Sequence, residues 1–438
     1  MARPNVLYLH SHDTGRYIRP YGHALPTPRL QRLAEEGSLF RQAFCANPTC
    51  SPSRASLLTG RWPHCNGMVG LAHRGFRLND YGHHIVATLK AHGYHCALSS
   101  AGAQHVVKKD DQQIIGYDEI FDPAFPDRKN PVEETRRFLS DAPEPFFLSV
   151  GFGDVHRNFP EPACDDPLTD PRYVRPPDPI PDTPGTRRDM AAYNTALRDQ
   201  DRKMGAVLDA LEENGLAQNT LVLCTTDHGI AFPRMKCNLE DSGIGVFLIM
   251  RGPGVPAGEC LDGMVSHVDV FPTLCELLEI ESPDWLQGVS FAPMLRGETD
   301  AVREEVFAEV NYHAAYEPMR CVRTRRWKYI RRYHDRDGPV LPNCDNSPSK
   351  SLWMEHGWAE HTPPPEALFN LVFDPHETNN LADDPHHRDA LDEMRGRLDR
   401  WLEQTDDPLL HGKVPAPKGA RVTLQDEIDP HGQSYVIE

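Results

Sequence analysis

Short apolar runs that stop abruptly at histidine and aspartate constrain this chain more than any other feature. Asn5–Leu9 is followed by His10, Ser11, His12, Asp13, Thr14 and Gly15. Phe146–Val150 leads on to His156, and Thr220–Thr225 ends in Asp227, His228 and Gly229. Runs of this length with polar ends read as buried strands. Helical patterns separate them. Thr27-Pro28 opens a helix with Leu30, Leu33 and Ala34 on one face and Gly37 at its end. His84–Ala91 reads as a second helix, followed by a strand at Cys96–Ser99. Arg188–Asn214 reads as a long amphipathic helix whose core face holds Ala192, Leu197, Met204, Val207, Leu208 and Leu211, with Gly215 closing it. Gly245–Met250 is the next strand. This alternation predicts an α/β fold, a large and mainly parallel sheet sandwiched by helices. Ligands in such sheets bind beyond the carboxyl ends of the strands. Those ends carry His12 and Asp13, His156, and Asp227 and His228.

The texture changes near Glu304. The division read from it is a catalytic α/β domain over 1–303 and a smaller C-terminal α+β subdomain over 304–438 containing an antiparallel sheet. Thr324–Tyr333 reads as a basic strand of that sheet, at a solvated edge where charge prevents edge pairing. Asp337–Pro365 is rich in Pro, Asn and Ser and reads as loop. Ala390–Gln404 reads as a helix with Leu391, Met394, Leu398 and Leu402 on one face.

A formal net charge of −18 argues against a nucleic-acid groove and against anionic membrane surfaces. No apolar run is long enough to span a bilayer. The 11 cysteines are scattered, with no C-x-x-C unit, and no leader is read in MARPNVLYLHSHD. Together these favour a reduced, cytoplasmic setting, with a mature secreted or periplasmic form left open, and a homo-oligomer left open as well.

Pro48–Arg61, PTCSPSRASLLTGR, reads as the opening of another helix. Pro52 suits a first turn, Ser51 can cap it, Ala55, Ser56, Leu57 and Leu58 continue it and Gly60 stops it. Cys50 then stands at the mouth of a helix, where backbone N–H groups and the helix dipole favour a nucleophile or an anion.

The order Cys50-Ser51-Pro52-Ser53-Arg54, then Leu58-Thr59-Gly60-Arg61, resembles the signature of the sulfatases of the alkaline phosphatase superfamily. The preceding TPxLxxLAxxG helix, TLVLCTTDHG, LIMRGPG and LFNLVFDPHETNNLADDP are similar to the same family, so the resemblance covers nearly the whole chain. Within it, DVHR, YEPMR and DPHETNNLADDP look most like the sulfamidase branch.

The resemblance implies an alkaline phosphatase-like fold and conversion of Cys50 by a formylglycine-generating enzyme. The hydrated aldehyde would attack sulfur, form a covalent sulfate ester and release it through its second hydroxyl. Arg54 would hold that side chain, and one divalent metal would assist. In the metal set Asp13 matches an acidic family position, Asp227 and His228 match a later pair, and His12 stands where the family has Asp. Oxygen ligands suit Ca²⁺ or Mg²⁺, and two imidazoles shift the expectation toward Mn²⁺ or Zn²⁺. His105, His156 and Lys236 match the remaining polar set. Ala103 stands where the family carries a lysine, with Lys108 and Lys109 as nearby cations. By analogy His313, Tyr316 and Arg320 line a substrate mouth. The implied activity is hydrolysis of a sulfate ester or sulfamate on a sugar. The alternatives are a phosphonate monoester hydrolase or phosphodiesterase of the same superfamily, and a catalytically idle binding protein.

Overall fold

In β1 (Asn5–Ser11) the side chains alternate between two apolar clusters: Val6 and Tyr8 enter one, Leu7 and Leu9 the other. A strand buried on both faces belongs at the centre of a covered sheet, and that is where β1 lies in this computed structural model, which describes residues 3–99, 106–121, 130–333 and 336–438. The remaining strands of the sheet are β2 (Ser38–Phe44), β3 (His95–Ser99), β4 (Glu119–Phe121), β5 (Phe146–Phe152), β6 (Thr220–Thr226), β7 (Gly245–Val246), β8 (Leu248–Arg251) and β9 (Glu259–Ser266). Their order is β4-β3-β5-β1-β6-β8-β2-β7, with β9 also paired to β2. From β4 to β6 every pairing is parallel.

One face of this sheet carries the helices Pro28–Glu35, Val132–Leu139 and Pro184–Glu213; the other carries Cys50–Thr59, Ile85–Ala91 and Val270–Leu277. Two details differ from the sequence reading. Gly245–Met250 is not one strand. It breaks at Phe247, whose N–H donates to Gly15 O at 2.8 Å, and β8 then runs antiparallel to both β6 and β2. In the long helix Ala191, rather than Ala192, is fully buried.

A second sheet, fully antiparallel, runs β10 (Glu305–Tyr312), β11 (Tyr316–Thr324), β12 (Trp327–Arg332), β13 (Glu366–Asn370) in that order. Val306, Ala308 and Val310 join the core of the large sheet, while Phe307 faces the helix Arg388–Gln404 and stacks on Trp401 with ring centroids 4.9 Å apart. A two-stranded ribbon, β14 (Arg421–Thr423) with β15 (Ser434–Val436), follows that helix. The basic strand is therefore not an edge: β12 lies between β11 and β13. Its Lys328 is buried because Asp241 Oδ1 (2.8 Å) and Glu377 Oε1 (3.3 Å) neutralise it. The segment read as loop holds a helix, Pro348–Glu355, capped by Ser347 Oγ accepting from Lys350 N at 3.0 Å.

Arg320 does not line a substrate mouth. It is fully buried and grips Asp407 through Nε (2.6 Å) and Nη2 (3.0 Å). Asp407 lies 3.6 Å from His64 Nδ1, which hydrogen-bonds to Glu309, and Glu309 accepts from Asn311 Nδ2 at 2.9 Å. His64, Glu309 and Asp407 have the look of a metal triad. Because Arg320 occupies both oxygens of Asp407, the group reads instead as a balanced ion network joining β10, β11, the Pro63–Asn66 turn and the segment after the last helix. Tyr316 is likewise committed to structure. Its hydroxyl accepts from Val414 N at 3.1 Å and its ring packs on Tyr312 at 4.6 Å.

Burial opposes charging of His64, but the carboxylate of Glu309 outweighs it and pushes the pKa up to about 10. A pKa raised on folding gives stability that is complete below the unfolded value of about 6.5 and is lost as pH rises through the folded value. The stability difference between the wild type and His64→Gln, measured by urea unfolding, should therefore shrink steadily between pH 6.5 and pH 10. A constant difference across that range would contradict the network.

Candidate active site

The helix Cys50–Thr59 is buried along its whole length although half of it is polar. Such a helix is stable only if every hydroxyl is satisfied. Ser56 Oγ donates to Pro52 O (3.0 Å) and Thr59 Oγ1 to Ala55 O (2.7 Å), bonds made back onto the helix itself. Ser53 Oγ donates to Asp227 O at 2.5 Å. Ser51 is not the cap expected of it: the helix begins at Cys50 after Thr49, and Ser51 Oγ accepts from Ala72 N at 2.9 Å. Gly60 ends the helix with φ +64°, where a Cβ would meet Leu286 Cδ2 at 2.5 Å. Cys50 is thus fixed at the helix N-terminus, 3% exposed.

The ends of β1 and β6 close over this terminus. Asp13 takes φ +41°, a left-handed conformation that Asp tolerates better than most residues, and so turns its N–H onto Asp227 Oδ1 at 2.9 Å. Gly229 must lack a side chain, since a Cβ there would come within 2.0 Å of Ser242 O. Arg54 Nη2 donates to Asp227 Oδ2 (3.0 Å) and Ser11 O (2.9 Å), and its Nη1 to His10 Nδ1 (2.5 Å). His12 Nδ1 lies 3.5 Å from Asp227 Oδ2. His228 Nε2 lies 3.4 Å from Cys50 Sγ, 3.4 Å from Asp13 Oδ1 and 3.6 Å from Asp227 Oδ2. Lys236 Nζ donates to Asp13 Oδ2 at 3.0 Å and lies 3.0 Å from Asp345 Oδ2. His156 sits edge-on to His12 with ring centroids 5.6 Å apart, and its Nδ1 faces Arg157 O at 2.8 Å.

These groups hold opposite charges in a dry space. Burial raises the cost of ionising Asp227, but His228, Arg54 and the Asp13 N–H outweigh it and hold the carboxyl below its usual range. Burial likewise opposes the charge on Lys236, yet Asp13 and Asp345 keep it firmly an ammonium. Burial pushes the Cys50 thiol well up, with Lys236 opposing it in part, so the unmodified side chain is a poor thiolate nucleophile. Burial drives the pKa of His313 well below its ordinary value, helped by Lys236.

A divalent cation fits the donor set. Ligand atoms of His12, Asp13, Cys50 and Asp227 all lie within 4.8 Å of one another, and Asp13 Oδ1 is buried without a hydrogen-bond partner. His228 Nδ1 faces Gly229 O at 2.9 Å, so Nε2 is the ring nitrogen turned toward both carboxylates. The donors would be Asp13, Asp227, His228 and His12.

The structure gathers Cys50, Arg54, Lys236, His12, Asp13, Asp227 and His228 at one place, with His156 at their side. His105 and Ala103 lie outside the described residues. Lys108 is exposed. Two residues of the site were missed. His10 was visible at the strand end, two positions before His12 and so on the same face. Asp345 sits in a Pro- and Asn-rich stretch with no periodicity to mark it.

The sulfatase family model matches residues 4–280, and that of the C-terminal part of N-sulphoglucosamine sulphohydrolase matches residues 234–354. Human N-sulphoglucosamine sulphohydrolase is 31% identical over 99% of this chain and 95% of its own length. An ulvan-active sulfatase of Formosa agariphila is 28% identical over 92% of this chain and 76% of its own. A solved 2-O GAG sulfatase superposes with a TM-score of 0.72 at 23% identity, covering 95% of each chain, a likeness of fold.

Asp227→Asn removes one of the two carboxylates of the cluster. Loss of an outer partner of a metal ligand already costs about 10–100-fold in affinity. Loss of a direct one should cost at least the upper figure, so dialysed variant should retain no divalent metal by elemental analysis. Retention equal to the wild type would refute the assigned ligand set.

Proposed function

The chain belongs to the sulfatase family, hydrolases of sulfate esters or sulfamates, and we propose that it acts on a sulfated sugar through a formylglycine made from Cys50. The observation that carries this reading is the place of Cys50: at the N-terminus of a buried helix, 3.4 Å from His228 Nε2 and grouped with both carboxylates. The sugar is supported by the name of the human relative, N-sulphoglucosamine sulphohydrolase, to which the chain is 31% identical. With Cys50 3% exposed, a formylglycine-generating enzyme has to act before the helix packs.

Cys50 Sγ stands in for a hydroxyl of the hydrated aldehyde. That hydroxyl attacks sulfur and passes its proton to a neighbouring carboxylate of the cluster, the bond from sulfur to the sugar oxygen or nitrogen breaks, and the departing atom takes up a proton. His156 is suited to supply it, because Nδ1 is committed to Arg157 O and Nε2 is left for exchange. The second hydroxyl then gives its proton to His156, which has just lost one, the bond between Cβ and the sulfate oxygen breaks, sulfate leaves, and the aldehyde takes up water to re-form the diol. Arg54 and Lys236 offset the charge that develops on oxygen. A divalent ion at Asp13, Asp227, His228 and His12 would favour the deprotonated form of a nearby hydroxyl.

Charge supports a singly charged substrate. Counting imidazoles as neutral, the carboxylates of Asp13, Asp227 and Asp345 exceed the cations Arg54 and Lys236 by one. A divalent ion turns that into one surplus positive charge, the complement of a sulfate ester or sulfamate monoanion.

Cys50→Ser provides the test, because serine can attack sulfur but has no second hydroxyl with which to expel sulfate. With an aryl sulfate the variant should release about one equivalent of phenol, gain a covalent sulfate by mass spectrometry, and then stop. Continued turnover would exclude the diol route. Wild-type turnover of phosphodiesters or phosphonates, with none of sulfate esters or sulfamates, would exclude the substrate class.

A further inference from the structure

The 230s loop brings Lys236 to the site, anchored by Cys237 N to Pro48 O at 2.9 Å and Lys236 N to Ile230 O at 3.1 Å. Asp13 holds the ammonium from one side and Asp345 from the other, each at 3.0 Å. Asp345 comes from far along the chain, and its loop is built to be rigid. Asn343 Oδ1 accepts from Ala315 N (2.8 Å), and its Nδ2 donates to Glu317 Oε2 (2.8 Å). Lys350, 3% exposed, spends its ammonium on Leu341 O (3.0 Å), Cys344 O (2.7 Å), Asn346 Oδ1 (3.2 Å) and Ile428 O (2.6 Å). Four oxygen partners on a buried lysine bind the two ends of the turn that presents Asp345.

We propose that Asp345 is a positioning residue for Lys236: it fixes the ammonium between two carboxylates so that its charge stays at the Cys50 site. The proposal rests on Lys236 being a cation of that site, as in the function proposed above. A lysine ammonium is a point charge on a flexible stem, and one carboxylate alone leaves it several rotamers. Asp13 is also a metal donor in that reading, so its grip on Lys236 is shared. Asp345 is not among the metal donors of that reading, and an opposite charge from a fixed loop supplies the missing constraint. The consequence is that the C-terminal segment completes the active site rather than only covering it.

Asp345→Asn keeps the shape and removes the charge, and Asp345→Ala removes both. Each is made alone and with Lys236→Met, then assayed on an aryl sulfate. Misplacement of about 1 Å in a charged group can cost 10²-fold, so kcat should fall between about 10- and 100-fold for either single variant, with KM within about threefold. In the Lys236→Met background the same change at Asp345 should cost less than about twofold, because residues that act through one another are not additive. Losses that multiply would mean that Asp345 acts independently of Lys236, and would overturn the proposal. Crystal structures of both single variants give a reading that needs no turnover. Lys236 Nζ should leave its place beside Asp13 or spread over more than one rotamer, and an unmoved Lys236 in both would overturn the proposal. A wild type without activity on any sulfate ester or sulfamate would defeat the proposed function, while the crystal structures would still decide the role of Asp345.

Discussion

The carboxylate of Asp227 is the contact on which the rest of the site depends. Its Oδ1 accepts the backbone N–H of Asp13 and of His228, both at 2.9 Å, and its Oδ2 accepts from Arg54 Nη2 at 3.0 Å. Its backbone oxygen takes the Ser53 hydroxyl. One residue thereby joins the end of β1, the end of β6 and the helix that carries Cys50. Removing charge from so dry a place is inexpensive only when its partners go with it, and Arg54 cannot leave: it is also held by Ser11 O and His10. An ion pair thus takes part, alongside apolar packing, in setting the geometry of the nucleophile.

This explains a helix that would otherwise be a poor choice for a core. Ala55, Leu57 and Leu58 pack into the core, but the buried serines, threonine and arginine of the same helix need hydrogen bonds to stay there. Each hydroxyl is assigned to a helix carbonyl, to Asp227 or to Ala72. Close approaches at Gly229, to Ser242 O, and at Gly60, to Leu286, leave no room for a side chain at either position.

Much of the fold and the centre of the site were legible in the sequence, for a physical reason. Strands buried on both faces give uninterrupted apolar runs, so β1, β5 and β6 and the polar residues at their ends stand out. Helices with one apolar stripe, such as Arg388–Gln404, are as plain. What failed were features set by distant partners. Lys328 looked like an edge charge because Asp241 and Glu377, which neutralise it, are far away in the chain. Arg320 looked available to a substrate because nothing near it announces Asp407. Ser347-Pro348 is a sound helix start, but the surrounding Pro and Asn masked it. Asp345 had no local signal, since its role comes from the turn that Lys350 ties together.

The central claim, that a cysteine at this place is the precursor of the reacting group, is tested most directly by mass spectrometry of the peptide containing Cys50 from an active preparation. The account predicts that this peptide has lost its sulfur and carries an aldehyde that a hydrazine probe captures. An active preparation in which every such peptide keeps its thiol would contradict it.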